Sequence, residues 1–284
     1  MSRNTGASPS PSGLASAKLT VHVLGAGSGR PTARRDTTSL LIAAPDGWTL
    51  VECPGGIVHK LARWGVVPER LRRVILTHSH VDHVYGLPHL LHAMAIADGG
   101  SQLVLHAPEQ TLATVRQMMA THDLTGPGYP VMELLPIAME PGTEIVGESA
   151  LRICCTPTRH GRDTVALRFE TRDAAFGHSS DTCPSEGVAA LCQGVDLLLH
   201  DCGGFHADIE TFGAHHSSAL QAGEIAAAAG AGALALIHLG AAAERDEAAL
   251  ASEAASAFGG PVCLAHDGDR YGLPRVGTTP ARLR

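Results

Sequence analysis

The chain has 284 residues, 44% of them hydrophobic and 17% charged, a balance that supports a sizeable core and excludes a largely disordered or fibrous chain. A formal net charge of −7 and only two lysines, Lys18 and Lys60, exclude the broad basic surface that a large nucleic-acid interface needs. Against Trp 2, Tyr 3 and Phe 5 there are 17 histidines, the residue most often recruited as a metal ligand or proton carrier, so their placement governs the reading.

In chain order, residues 1–17, rich in Ser, Pro, Gly and Ala, read as a disordered leader without the apolar run of a signal peptide. Residues 18–284 read as one domain. Strand-like segments fall at Leu19–Leu24, Ser39–Ala43, Thr49–Cys53, Arg73–Thr77, Leu103–His106 and Leu151–Cys155, and again at Val165–Glu170, Asp196–His200, Ala233–His238 and Val262–Ala265. Helical patterns lie between them at Ile57–Trp64, Leu87–Ala95, Glu109–Ala120, Ser185–Leu191, Ser217–Ala229 and Arg245–Ala257. Short strands alternating with longer helical runs predict an α/β layered domain. Ser217–Ala229 has the clearest ends, with a Ser pair and Gln221 at its start and Gly230 at its finish. Leu87–Ala95 is apolar enough to be either a homodimer face or packed core. Glu109–Ala120, with Leu112, Val115, Met118 and Met119, reads as core-facing.

No stretch approaches the ~20 apolar residues of a membrane helix. Seven cysteines, an odd number without a C-x-x-C pair, read as reduced thiols, so the expected location is cytoplasmic.

The densest chemistry is Thr77-His78-Ser79-His80-Val81-Asp82-His83, directly after a strand-like run. A tight turn at a strand end lets alternate side chains converge, and imidazole nitrogen and carboxylate oxygen are ligands that zinc takes. His160, Asp181 and His238 also sit at strand ends and extend the set. Such ligands accept manganese or iron as well. Arg30, Arg34 and Arg35 gather in one Gly/Pro-rich loop. The arginine fork suits phosphate oxygens, so these are candidate substrate-binding residues, the other reading being a solvated turn. His216 either caps the following helix or serves the chemistry.

These segments together resemble the metallo-β-lactamase superfamily, and within it the ribonuclease Z-like branch. The likeness runs from about Leu19 to Leu273. Leu24-Gly25-Ala26-Gly27-Ser28-Gly29 is similar to the branch's first glycine loop, and Phe176–Thr182 to its Asp-Thr segment. Three segments depart from the usual pattern: Glu52-Cys53-Pro54-Gly55 stands for Asp-Cys-Gly, His200-Asp201-Cys202 for His-Glu-Ala-Thr, and His216-Ser217-Ser218 for His-Ser-Thr.

The resemblance implies a four-layer αββα sandwich with a dinuclear zinc site. His78, His80 and His160 would hold one Zn2+, and Asp82, His83 and His238 the other, with Asp181 and a hydroxide bridging them. Asp82, His216 and Asp201 are then the candidate catalytic residues, with His216 donating a proton and Asp201 orienting it. Only the 20 positions of residues 161–180 separate His160 from Asp181, and they already hold the strand Val165–Glu170, a turn at Thr171-Arg172-Asp173 and the next strand, leaving no room for the long arm with which tRNA-processing members of the branch grip their substrate. The armless members imply a small anionic phosphodiester, of cyclic nucleotide or cyclic phosphoribosyl type. The alternatives are RNA 3′ processing, or hydrolysis of an acyl or sulfate ester (thioesterase, lactonase, arylsulfatase) on the same site.

Overall fold

The computed structural model describes residues 19–97, 101–148, 150–241 and 243–273, and the leader read over 1–17 lies outside them. In the first half, β1 (Leu19–Gly25), β2 (Ser39–Ala44) and β3 (Gly47–Val51) form an antiparallel meander. To β3 are added, in parallel, β4 (Leu71–Ile75), β5 (Gln102–Pro108) and β6 (Val131–Ile137). The second half repeats the plan. There β7 (Thr143–Gly147), β8 (Arg152–Pro157), β9 (Val165–Glu170) and β10 (Ala175–His178) meander, and β11 (Leu197–Asp201), β12 (Leu234–Ile237) and β13 (Val262–Leu264) follow in parallel. Finally β14 (Arg270–Leu273) returns to pair with β1, and each sheet has seven strands.

The outer layers are helical. On the first sheet lie α1 (Ile57–Arg63), α2 (Val81–Val84), α3 (Leu87–Ala97) and α4 (Glu109–Thr121), and with the second belong α5 (Glu186–Leu191), α6 (Ile209–Phe212), α7 (Ala219–Ala228) and α8 (Glu247–Phe258). Three apolar clusters separate the layers. One joins the sheets through residues such as Val21, Leu40, Phe169 and Leu199. A second packs Ile57, Leu90 and Leu112 under the first sheet's helices, and a third packs Val188, Ile225 and Leu250 under the second's. This is the expected αββα arrangement. It explains the near-continuous apolar runs of the central strands, such as Leu197-Leu198-Leu199, which are buried on both faces.

Local signals set the boundaries. The Ser218 side chain caps α7, accepting from Gln221 N–H, while Gln221 Oε1 accepts from Ser218 N–H. In α3, Leu87, Leu90, Leu91 and Met94 are buried on the first sheet as packed core, while Ile96 is exposed. The sequence reading omits β6, β7 and β14. These strands lie at or beside the sheet edges, and β6 carries Pro136 and no clean alternation, which an edge tolerates. Among the described residues, no helix is long and apolar enough to cross a membrane.

The parallel strands matter most for function. Their carboxyl ends face the same way, and open α/β sheets present functional side chains there. The segments after β3, β4, β10 and β12, and the last residue of β11, supply Glu52, His78–His83, Asp181, His238 and Asp201 to one region.

The helix that follows the His216 segment, α7, packs closely on α8. A Cβ at Gly223 would meet the backbone of Ala254 and come 3.2 Å from Ala257 Cβ. Gly223→Ala should therefore push the helices apart and destabilise the fold by about 1–3 kcal/mol, read as a lower urea midpoint at unchanged slope.

Candidate metal centre

Three of the four non-glycine residues with left-handed backbone among the described residues stand at the strand ends just named: Glu52 (φ 64°), Ser180 (φ 53°) and His238 (φ 61°). Such a conformation costs about 1–2 kcal/mol for a residue with a Cβ. Here it turns the chain sharply as a parallel strand ends, and strain of this kind concentrates at functional sites.

The expected ligands converge in two groups. His80 Nδ1 lies 3.0 Å from His78 Nε2 and 3.1 Å from His160 Nε2. On the other side, His83 Nε2 lies 3.3 Å and His238 Nε2 3.9 Å from Asp82 Oδ2. Asp181 Oδ2 belongs to both groups, at 3.8 Å from His78 Nε2 and His160 Nε2, 3.6 Å from His83 Nε2 and 3.5 Å from His238 Nε2. A tetrahedral ion with ligands at about 2.1 Å spaces them about 3.4 Å apart, which is the spacing seen. His238 Nε2 is buried without a hydrogen-bond partner and faces the cluster.

The opposite ring nitrogens are held from behind. His160 Nδ1 donates to His215 O at 2.9 Å. Thr77 Oγ1 donates to Glu52 Oε1, so its lone pairs receive His78 Nδ1 (3.1 Å) and Ser180 Oγ (2.6 Å). Glu52 Oε1 stands 3.4 Å from His83 Nδ1, and Asp201 Oδ1 3.3 Å from His238 Nδ1. In all four histidines the outer contact is on Nδ1, which leaves Nε2 as the ligand atom, an arrangement that fixes tautomer and ring orientation in metal sites.

Protonation divides the cluster. Burial keeps His78, His80 and His160 below the ordinary histidine pKa, so these rings are neutral with lone pairs free. Burial also opposes charge on His83 and His238, but Asp181 with Glu52 outweighs it for His83, and Asp181 with Asp201 and Asp82 pushes His238 up to about 10. Asp181 stays ionised despite its burial because His238 and His83 hold it well below the usual carboxylate range. The carboxylates thus demand positive charge at this point, which histidine protons or metal ions can supply.

Asp201 carries a second task. Its Oδ2 lies 3.1 Å from His216 Nδ1 and accepts from Thr182 N–H at 3.0 Å. One methylene shorter than glutamate, it still reaches His216, whose ring stacks on His238 at 5.0 Å. Burial lowers the His216 pKa, but the hydrogen bond and charge of Asp201 prevail and raise it overall.

The arginine loop is built differently from its sequence reading. Arg35 is fully buried, donating to Ala265 O (3.0 Å) and Glu247 Oε1 (2.9 Å), so it anchors the loop and is not free for substrate. The Arg34 side chain is 63% exposed, 3.9 Å from Glu247. Arg30 is exposed. None of the three lines the cleft of about 350 Å3 over the metal ligands, where the loop contributes Ser28 and Gly29 instead. A Cβ on Gly29 would lie 2.8 Å from Asp82 Oδ2, so the glycine lets the backbone close on that carboxylate. Glu52 is the residue that sequence reasoning left without a role. Its only sequence signal is the departure from Asp-Cys-Gly.

A family model described as a β-lactamase superfamily domain matches residues 47–239. The ribonuclease Z of Synechococcus sp. (strain WH7803) is 28% identical over 277 residues, spanning 78% of this chain and 85% of that protein. The crystal structure of the metallo-β-lactamase fold protein YhfI from Bacillus subtilis superposes with a TM-score of 0.77 at 25% identity, covering 90% of this chain and 99% of YhfI. Human tRNase Z, short form, superposes with a TM-score of 0.74 over 90% of this chain and 100% of its own, a likeness of fold at 18% identity.

Because Asp181 alone belongs to both ligand groups, Asp181→Ala should depress binding at both positions, whereas His238→Ala should spare the His78, His80 and His160 group. Metal-to-protein ratios by mass spectrometry after dialysis should fall below one for the first and stay near one for the second. Glu52→Gln should weaken metal affinity by about 10–100-fold, measured by competition with a chelating dye.

Proposed function

The chain belongs to the metallo-β-lactamase superfamily, on its ribonuclease Z-like branch, and is a metal-dependent hydrolase; from that membership we propose that it is a dinuclear zinc phosphodiesterase acting on a small anionic phosphodiester. The observation that carries the reading is the Asp201–His216 pair standing beside two ligand groups that share Asp181. His78, His80 and His160 would hold one ion, Asp82, His83 and His238 the other, and manganese or iron could replace zinc in such a donor set. Bound there, the ions would supply Lewis acidity and a water acidified to near neutrality.

The chain's own residues do the rest. Asp181 joins the two ligand groups and fixes their spacing. Asp201 holds His216 and His238 at once, which keeps the proton-carrying ring in register with the metal ligands. His216 lines the cleft and Asp201 raises its pKa above the ordinary histidine value, so it is placed to deliver a proton to the departing alcohol oxygen. A small substrate follows from the surroundings. Within residues 161–180, β9 and β10 account for much of the span between His160 and Asp181. Lys60 is buried against Asp36 Oδ2 at 3.1 Å and so adds nothing to a basic surface. The similarity to ribonuclease Z favours a second reading, RNA 3′ processing, in which the same residues act on a longer substrate.

Assays of the zinc-loaded chain on bis(p-nitrophenyl) phosphate, a thioester, a lactone, a sulfate ester and a precursor tRNA separate these readings. The phosphodiester should be turned over best and lose turnover on chelation. Preference for the precursor tRNA would favour RNA processing, and preference for an acyl or sulfate ester would overturn the phosphodiesterase.

The pH profile tests His216 separately. Its raised pKa keeps the proton above the ordinary value of about 6.5, so kcat should fall as pH rises through that raised value. His216→Ala should cost about 10²–10⁴-fold in kcat. Asp201→Asn removes the stabilising charge and should move the alkaline limb to lower pH, compared at equal metal content.

A further inference from the structure

Beyond the metal ligands and His216, the wall of the cleft consists of Ser28, Gly29, Gly203, Gly240 and Phe212. No lysine or arginine side chain lines it among the described residues, and Phe212 is its only Phe, Tyr or Trp. A cleft whose positive charge comes from metals and one histidine suits the single charge of a diester. A terminal phosphate or diphosphate brings further charge, which proteins ordinarily meet with arginine or lysine forks.

Phe212 is unusual in its setting. It is half-buried, yet it belongs to none of the three apolar clusters. Its ring rests on a glycine pair: a Cβ on Gly203 would lie 2.6 Å from Phe212 Cδ2, and one on Gly204 3.2 Å from Cε1. Gly203-Gly204 therefore clears the space for an aromatic ring against bare backbone, and the ring also contributes to the cleft wall. The Phe212 carbonyl accepts from the N–H groups of His215 (3.0 Å) and His216 (3.1 Å), so the ring and the proton-donating histidine hang from one turn. A planar apolar surface fixed beside the leaving-group side of the cleft offers stacking and little else, and every nucleobase has a face for it.

We infer that Phe212 is a specificity-determining residue whose ring receives the base carried by the ribose of a cyclic nucleotide, so that a base-bearing cyclic nucleotide is preferred over a base-free cyclic phosphoribosyl compound. This rests on the phosphodiesterase reading and chooses between the two substrate types that reading allows. Attack by water opens the cyclic diester by breaking one P–O bond, the freed ribose oxygen takes the His216 proton, and phosphate, sugar and base remain one nucleoside monophosphate with its base next to Phe212.

The test compares 2′,3′-cyclic AMP with 1-O-methylribose 2′,3′-cyclic phosphate, which share phosphorus, ring and leaving oxygen and differ in the base. In the zinc-loaded wild-type chain, kcat/KM should favour the nucleotide by about tenfold, chiefly through KM. The ratio should fall toward one in Phe212→Ala and Phe212→Leu and persist in Phe212→Tyr, with thermal melts showing each variant folded. A wild-type ratio near one, or a preference that survives in Phe212→Ala, overturns the inference. Turnover of neither compound by metal-replete enzyme defeats the phosphodiesterase reading instead. Calorimetric binding of AMP against ribose 5-phosphate then decides the role of Phe212: tighter AMP binding that is lost in Phe212→Ala supports it, and equal binding refutes it.

Discussion

Asp181 Oδ2 sits 3.5–3.8 Å from the Nε2 atoms of four histidines carried by three separate segments of the chain. A carboxylate this buried is stable only with positive charge around it, since an unpaired buried charge costs several kcal/mol. Much of the architecture can be understood as meeting that condition. Two sheets built on one plan bring the carboxyl ends of their parallel strands together, and left-handed turns at Glu52, Ser180 and His238 swing side chains inward. Behind the ligands, Glu52, Thr77 and Asp201 hold the outer ring nitrogens. The cleft is thus the outlet of a polar network that begins inside the protein.

Much of this was legible in the sequence, for a physical reason. His78, His80, Asp82 and His83 act from a single strand-to-helix turn, so their convergence is local and their spacing expresses it. His160, Asp181 and His238 were legible as strand-end residues because the strands are strongly apolar. Glu52 was not, because its contact with His83 depends on β3 lying parallel to β4 and on a positive φ. Neither is written in the residue's own neighbourhood. Arg35 shows the opposite failure. Its loop looks like a phosphate cradle, but the partners that claim it, Glu247 and Ala265, are more than 200 positions away. Phe212 likewise gains its setting from Gly203-Gly204 across a fold of the chain. The edge strands β6, β7 and β14 were lost because they lack the double-sided burial that makes central strands conspicuous.

An acidic net charge is compatible with the anionic substrate proposed above because charge is organised locally. Four carboxylates, Glu52, Asp82, Asp181 and Asp201, concentrate the demand for cations in one place, and metal ions meeting it would turn the cleft attractive to a single phosphodiester charge. The same cleft carries no lysine or arginine side chain on its wall among the described residues, so the selectivity proposed above rests on shape and on the Phe212 surface.

The central claim is that one carboxylate joins two metal positions, and diffraction data collected above and below the zinc absorption edge on zinc-loaded crystals test it most directly. The account predicts two anomalous peaks flanking Asp181, one ligated by His78, His80 and His160 and the other by Asp82, His83 and His238. A single peak, or peaks ligated by other side chains, would contradict it.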